Sequence, residues 1–218
     1  MHDYQRKFID FMVEVGVLTF GDFTTKSGRK TPYFVNTGKY RSGVQLAKLG
    51  RAYADAIERS FPDGFDCLGP AYKGIPLVVA VAMAFAERGR EVEFCFNRKE
   101  AKDHGEGGLL VGRKLQNGDR VLIVEDVTTA GTSIRETVPV LRAAANVRLA
   151  GLVVSVDRQE RASDTSTRTA LAEVGAEFAM PTAAIVTIDE VVAHLGSRLT
   201  DADRARIAEY RAKYGARG

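Results

Sequence analysis

Short, largely apolar runs recur at residues 65–68, 92–96, 121–124, 149–156 and 184–188, and longer stretches of helical periodicity separate several of them. Strands without a polar face must be covered on both sides, so this alternation implies a parallel sheet between helices, an α/β architecture. Helices are expected at 76–88, 134–145, 167–174, 189–195 and 201–214. The N-terminal part adds helical periodicity at 3–15 and 44–61, turn chemistry at 24–32 flanked by short strands, and an apolar piece at 33–35. Ser133 with Glu136, Thr187 with Glu190 and Thr200 with Asp203 have capping-box spacing. Pro139 should kink its helix or move the helix start later. No repeat, low-complexity tract or Pro/Ser-rich linker divides the 218 residues, which read as one domain.

Composition removes several function classes. The 31 basic and 28 acidic residues leave a formal charge of +3, so no overall field points to nucleic acid. The longest apolar run, 77–86, is too short to cross a bilayer, and the first residues lack the basic-then-apolar pattern of a signal peptide, which implies a cytoplasmic protein. Cys67 and Cys95 lie in apolar stretches without CxxC spacing and are expected to be buried free thiols. His2, His104 and His194 form no HExxH or paired spacing, so no protein-built transition-metal site is proposed; a hard metal carried by a substrate remains compatible.

The segment at 121–133 carries the strongest chemical signal. An apolar strand leads to the acid pair Glu125-Asp126, then to Val127-Thr128-Thr129-Ala130-Gly131-Thr132-Ser133 and a helix. A loop of small residues before a helix N-terminus lets backbone N–H groups approach a phosphate, and the helix dipole favours that anion. Two carboxylates would repel a bare phosphate, so they suit sugar hydroxyls or magnesium, and the combination points to a phosphorylated ribose. The bland alternative is that the acids end a strand and the loop only turns the chain. GxxxxGK[ST] and GxGxxG are both absent.

Residues 96–108 are charged and end in Gly105, Gly107 and Gly108, which reads as a long mobile loop between two strands, of the kind that closes over ligands. Arg98, Lys99, Lys102 and His104 gather cationic groups there, although Glu100, Asp103 and Glu106 also allow a merely solvated loop. Gly69 to Gly74 joins a strand to a helix, where backbone amides and Lys73 can meet diphosphate or simply turn the chain. Arg158 suits either a planar carboxylate or an ion pair with Glu160 or Asp157.

Residues 121–133 resemble the phosphoribosyl pyrophosphate motif of type I phosphoribosyltransferases. The blocks at 23–29, 33–38, 69–76, 96–108 and 157–161 resemble the orotate phosphoribosyltransferase family, in family order. The resemblance implies a type I phosphoribosyltransferase fold: a central parallel sheet flanked by helices, within a single domain over 1–218, with a small hood formed largely by the N-terminal segment and a core from about residue 65. It implies transfer of the 5-phosphoribosyl group to N1 of orotate in UMP biosynthesis. Lys26, Tyr72, Lys73, Arg98, Lys99, Lys102, His104 and residues Glu125 to Ser133 are implied to bind phosphoribosyl pyrophosphate. Lys26, Phe34, Val35, Thr129 and Arg158 are implied to bind orotate. Lys99, Lys102, His104 and Asp126 are the implied catalytic residues, with Mg2+ held mainly by substrate and Glu125 and Asp126 as the candidate protein contacts. A homodimer is implied, the 98–108 loop reaching the neighbouring active site. Two positions depart from the common pattern: Val35 follows Phe34 where a second aromatic is frequent, and Glu125 stands where Asp is frequent. The alternatives are a phosphoribosyltransferase for another base and a regulator that senses phosphoribosyl pyrophosphate with the same fold. No DNA-binding segment or basic face supports the regulator.

Overall fold

The computed structural model describes all residues except 25–28, 71–73, 103–107, 129, 164 and 217–218; at 70, 98–102 and 108 it describes the backbone only. The elements run α1 (Asp3–Glu14), β1 (Leu18–Thr24), β2 (Lys30–Val35), α2 (Gly43–Ser60), β3 (Cys67–Pro70), α3 (Ile75–Ala86), β4 (Glu93–Lys102), β5 (Gly108–Gly112), β6 (Arg120–Val124), α4 (Thr132–Ala144), β7 (Arg148–Asp157), α5 (Ala170–Phe178), β8 (Thr182–Thr187), α6 (Ile188–Leu195) and α7 (Asp201–Tyr214).

The main sheet has six strands in the order β5-β4-β3-β6-β7-β8. Neighbours from β4 to β8 pair in parallel, and β5 is an antiparallel edge on β4. Successive residues of β6 alternate between faces: Leu122 and Val124 join the core beneath α1, α2 and α3, while Val121 and Ile123 join the core beneath α4 and α5. The expected two-sided cover is therefore present. Cys67 and Cys95 are buried free thiols, as expected. At the α2–α3 contact, a Cβ added to Gly50 would lie 2.3 Å from the Ala80 carbonyl oxygen, so only glycine permits this approach of the two helices.

β1 and β2 form a separate antiparallel pair, with Leu18 opposite Val35 and Thr24 opposite Lys30. β2 presents buried Thr31 and Tyr33 to the body of the protein and leaves Phe34 41% exposed.

Several boundaries differ from the sequence reading. Residues 98–102 do not form a loop: β4 continues to Lys102, which pairs with Gly108. Lys102, at the end of this charged segment, takes its backbone partner from β5, a long-range pairing that hydropathy cannot report. Leu68 pairs with Phe94, so residues 97–102 lie beyond the end of β3, with the β4–β5 register shifting between Asn97 and Lys102. The remainder of the expected loop, 103–107, lies outside the described residues. Ser133 does not cap α4; Gly131, in the left-handed region at φ 73°, takes that place and puts Ser133 in the first turn. Pro139 lies inside α4 without delaying its start. α5 begins at Ala170, later than expected, because the Thr169 hydroxyl accepts the Ala172 N–H there. The helix continues through Gly175, where an added Cβ would come 2.8 Å from Thr182. Thr187 and Glu190 form a capping box, and Thr200 accepts the Asp203 N–H.

Candidate active site

β6 ends at Val124 and delivers the acid pair to the C-terminal edge of the parallel strands, where open α/β sheets bind ligands. The pair is held through its backbone. The Glu125 N–H donates to the Val153 carbonyl at 3.0 Å, and the Glu125 carbonyl accepts the Tyr53 hydroxyl at 2.7 Å. The Asp126 carbonyl accepts both the N–H and the hydroxyl of Ser155, at 2.8 and 2.7 Å.

The two carboxylates then face different surroundings. Glu125 is 3% exposed; its Oε1 accepts the Asp126 N–H at 3.0 Å, while Oε2 is buried with no hydrogen-bond partner among the described residues. Burial pushes this carboxyl up to about 7, against the pull of the Asp126 amide. Asp126 is half-buried: Oδ1 accepts the Val127 N–H at 2.7 Å and Oδ2 accepts the Thr37 hydroxyl at 2.6 Å.

The loop that follows is closed by Thr128, whose hydroxyl accepts the Gly131 N–H at 2.9 Å. Gly131 needs to be glycine for two reasons: its φ is 73°, and an added Cβ would lie 2.3 Å from Val174 Cγ2. Thr132 is exposed and Ser133 half-buried in the first turn of α4, so the amides of that turn stand beside the acid pair. The geometry thus offers an anion seat at the helix N-terminus and two carboxylates beside it.

Asp126 and Val35 line one cavity of about 670 Å³, together with Thr37, Tyr40, Tyr53, Pro76 and Ser155. That volume is within the range of small-ligand sites. Val35 reaches it from β2, and Phe23 lies beside Phe34 with ring centroids 5.9 Å apart. Arg158, beyond the end of β7, lies over the Tyr33 ring at 5.3 Å and pairs with Glu160 at 2.6 Å. The sequence reading left Arg158 between a carboxylate ligand and an ion pair; in the structure it is in the ion pair, and its side chain is only 11% exposed.

Lys26, Tyr72, Lys73, His104 and Thr129 lie outside the described residues. Arg98, Lys99 and Lys102 are on the part of β4 that extends past β3, with only their backbone described. Thr37, Tyr53, Ser155, Tyr33 and Glu160 were not singled out from sequence as site residues. Tyr53 sits in an ordinary amphipathic helix and Ser155 in an apolar strand, and neither spacing carries a signal. Thr37 and Glu160 fall inside quoted blocks, where only proximity in the fold identifies them.

Magnesium is testable against this geometry. Among the described residues no group of three or more His, Cys, Asp or Glu side chains can hold a metal. Glu125 Oε2, buried beside Asp126 with no hydrogen-bond partner among the described residues, fits a cation brought by substrate, with the chain adding at most these two carboxylates.

Residues 40–197 match the family of the phosphoribosyl transferase domain. With the acid pair, the loop and the sheet edge in place, the chain belongs to the phosphoribosyltransferases. It is 53% identical over 226 residues to the orotate phosphoribosyltransferase of Clostridium beijerinckii, covering all of both chains. It is 57% identical over 197 residues to that of Lachnoclostridium phytofermentans, covering 89% of this chain and 87% of the relative. The crystal structure of orotate phosphoribosyltransferase from Francisella tularensis superposes with a TM-score of 0.85 at 37% identity, covering 96% of this chain and 99% of that one. Within the wider class, the chain is therefore a member of the orotate phosphoribosyltransferase family.

Proposed function

We propose that this protein transfers the 5-phosphoribosyl group from phosphoribosyl pyrophosphate to N1 of orotate, releasing diphosphate and forming orotidine 5′-monophosphate for UMP synthesis. The observation that carries this reading is the joint position of Asp126 and Val35 on one cavity, with the Gly131 turn and the α4 N-terminus following Asp126 directly in the chain. That arrangement puts a ribose-binding acid, a phosphate seat and a base-facing segment within reach of one substrate pair.

In this reaction N1 of the orotate anion attacks C1′, the bond from C1′ to the diphosphate oxygen breaks, and diphosphate leaves with the electron pair. The configuration at C1′ inverts through an oxocarbenium-like state. Thr129 to Ser133 hold the 5′-phosphate, and Glu125 and Asp126 hold the ribose hydroxyls, with Asp126 also assisting as a proton acceptor. Lys26, Tyr72, Lys73, Arg98, Lys99, Lys102 and His104 bind the diphosphate region, where cationic groups stabilise charge that grows as the bond breaks. Phe34 and Val35 face the ring, with Lys26 and Thr129, and Arg158 takes its carboxylate. Bound Mg2+ would neutralise diphosphate charge and organise the ribose oxygens.

We read residues 1–218 as one such domain, with a hood built mainly from the N-terminal segment. The extension of β4 past β3 supports an arm that reaches a neighbouring subunit in a homodimer. Exposed Val44 and Met83 flank an apolar groove between α2 and α3, a face that a second copy would cover. Among the described residues no helix is long and apolar enough to cross a membrane, which accords with a cytoplasmic enzyme.

The test mixes purified protein with orotate, phosphoribosyl pyrophosphate and magnesium and follows loss of orotate absorbance, with adenine, hypoxanthine and uracil in parallel. Magnesium-dependent consumption of orotate alone is expected. Reaction with another base instead would overturn the base assignment, and binding of phosphoribosyl pyrophosphate without turnover of any base would favour a sensor.

A further inference from the structure

Beyond β7 the chain turns at Gln159, which is not glycine yet has a φ of 52°. Left-handed backbone at such a residue is strained and persists only where its surroundings hold it. Here Asp157 Oδ1 accepts the Gln159 N–H at 2.8 Å, the Gln159 carbonyl accepts the Ala216 N–H at 2.9 Å, and the Gln159 side chain accepts the Asp189 N–H at 3.0 Å. Across this turn Arg158 and Glu160 meet. Arg158 Nε and Nη2 both donate to Glu160 Oε1, at 2.8 and 2.6 Å, and the Tyr33 hydroxyl donates to the same oxygen at 3.0 Å. Arg29 Nη1 lies 3.6 Å from Glu160 Oε2. Glu160 is 9% exposed and Tyr33 fully buried.

A guanidinium is a planar fork with five N–H donors. Glu160 takes the edge formed by Nε and Nη2, and the Tyr33 ring covers a face. The edge formed by Nη1 and the second N–H of Nη2 is thereby aimed as a unit, in the geometry that grips a planar carboxylate with two parallel bonds.

We propose that Glu160 is a positioning residue that fixes the orientation of the Arg158 guanidinium, and so selects a carboxylated pyrimidine over an uncharged one. The inference rests on the reading of Arg158 as the carboxylate-binding residue. Nothing in the sequence motif distinguishes this role from a surface ion pair; the shared Oε1 and its burial do.

Steady-state kinetics of Arg158→Gln, Glu160→Ala, Glu160→Gln and Tyr33→Phe, with orotate and uracil as bases, separate the two claims. Glu160→Ala is expected to raise KM for orotate about tenfold and to lower the orotate-to-uracil preference, with KM for phosphoribosyl pyrophosphate and kcat within about twofold. Glu160→Gln keeps an acceptor oxygen and should recover roughly threefold of that loss. A Glu160→Ala protein with unchanged orotate KM, or with all parameters lowered together, overturns the positioning role. If that variant does not fold, Tyr33→Phe decides: a rise of about threefold in orotate KM alone supports the inference, and no change overturns it. An unchanged orotate KM in Arg158→Gln overturns the reading of Arg158 itself, and the inference with it.

Discussion

The Thr37 hydroxyl donates a 2.6 Å hydrogen bond to Oδ2 of Asp126, tying the segment after β2 to the acid at the end of β6 across 89 residues of sequence. Asp126 thus has one oxygen held by its own loop and the other by a residue two positions after Val35. Thr37→Val should free that carboxylate and raise KM for phosphoribosyl pyrophosphate about tenfold, or ~1.4 kcal/mol, as for loss of a hydrogen bond to a charged group. Thr37→Ser should stay near the parent. Initial-rate measurements on both variants check this, and equal KM values for Val and Ser would rule it out.

Glu125 makes the stability of the substrate-free protein depend on pH. Its folded-state value of about 7 exceeds the ordinary glutamate value of 4.5, so between these pH values the folded protein holds a proton that the unfolded chain has released. Stability is therefore greatest below about 4.5 and falls as pH rises through 7, by on the order of 3 kcal/mol from this group. Glu125→Gln lacks this dependence. Its Tm relative to the parent should rise between pH 5 and pH 7.5, roughly the ends of that window; a constant difference in thermal melts would contradict the assignment.

In the proposed reaction Lys99 stabilises diphosphate as it departs. Lys99→Ala is expected to lower kcat and kcat/KM equally, by about a hundredfold, with little change in Kd for phosphoribosyl pyrophosphate. Single-turnover rates and equilibrium binding on the same preparation distinguish this from a binding role, and an unchanged kcat would remove Lys99 from the mechanism.

Gly131 has neither the backbone freedom nor the space for a side chain. Gly131→Ala brings a Cβ to 2.3 Å from Val174 Cγ2 and strains φ, so α4 must shift away from α5. A cost of ~2–3 kcal/mol corresponds to a Tm lower by roughly 5–10 °C for a chain of this size. The displaced helix N-terminus should also weaken phosphate binding, visible as a higher KM for phosphoribosyl pyrophosphate. A Tm within a degree or so of the parent would show that the loop relaxes without cost.

The sequence alone determined the parallel-sheet class, because runs such as 121–124 and 149–156 have no polar face to offer water, and this requirement is local to each strand. It also determined the order of strand, acid pair, small-residue loop and helix at 121–133, since each part is encoded by neighbours in the chain. Tertiary structure decided what faces those groups. The partition of Glu125 into a buried carboxyl and Asp126 into one gripped by Thr37 depends on Tyr53, Ser155 and Thr37, which come from three separate parts of the chain. The same holds for the charged segment at 98–102, which is strand rather than loop, with Asn97 before it and Lys102 at its end paired to β5. Arg158 could be read as a ligand residue or an ion-pair residue until the turn at Gln159 placed Glu160 against it under Tyr33. Periodicity records which face a residue turns to the core; it does not record which distant side chain meets it there, and the electrostatics of this site are made of such meetings.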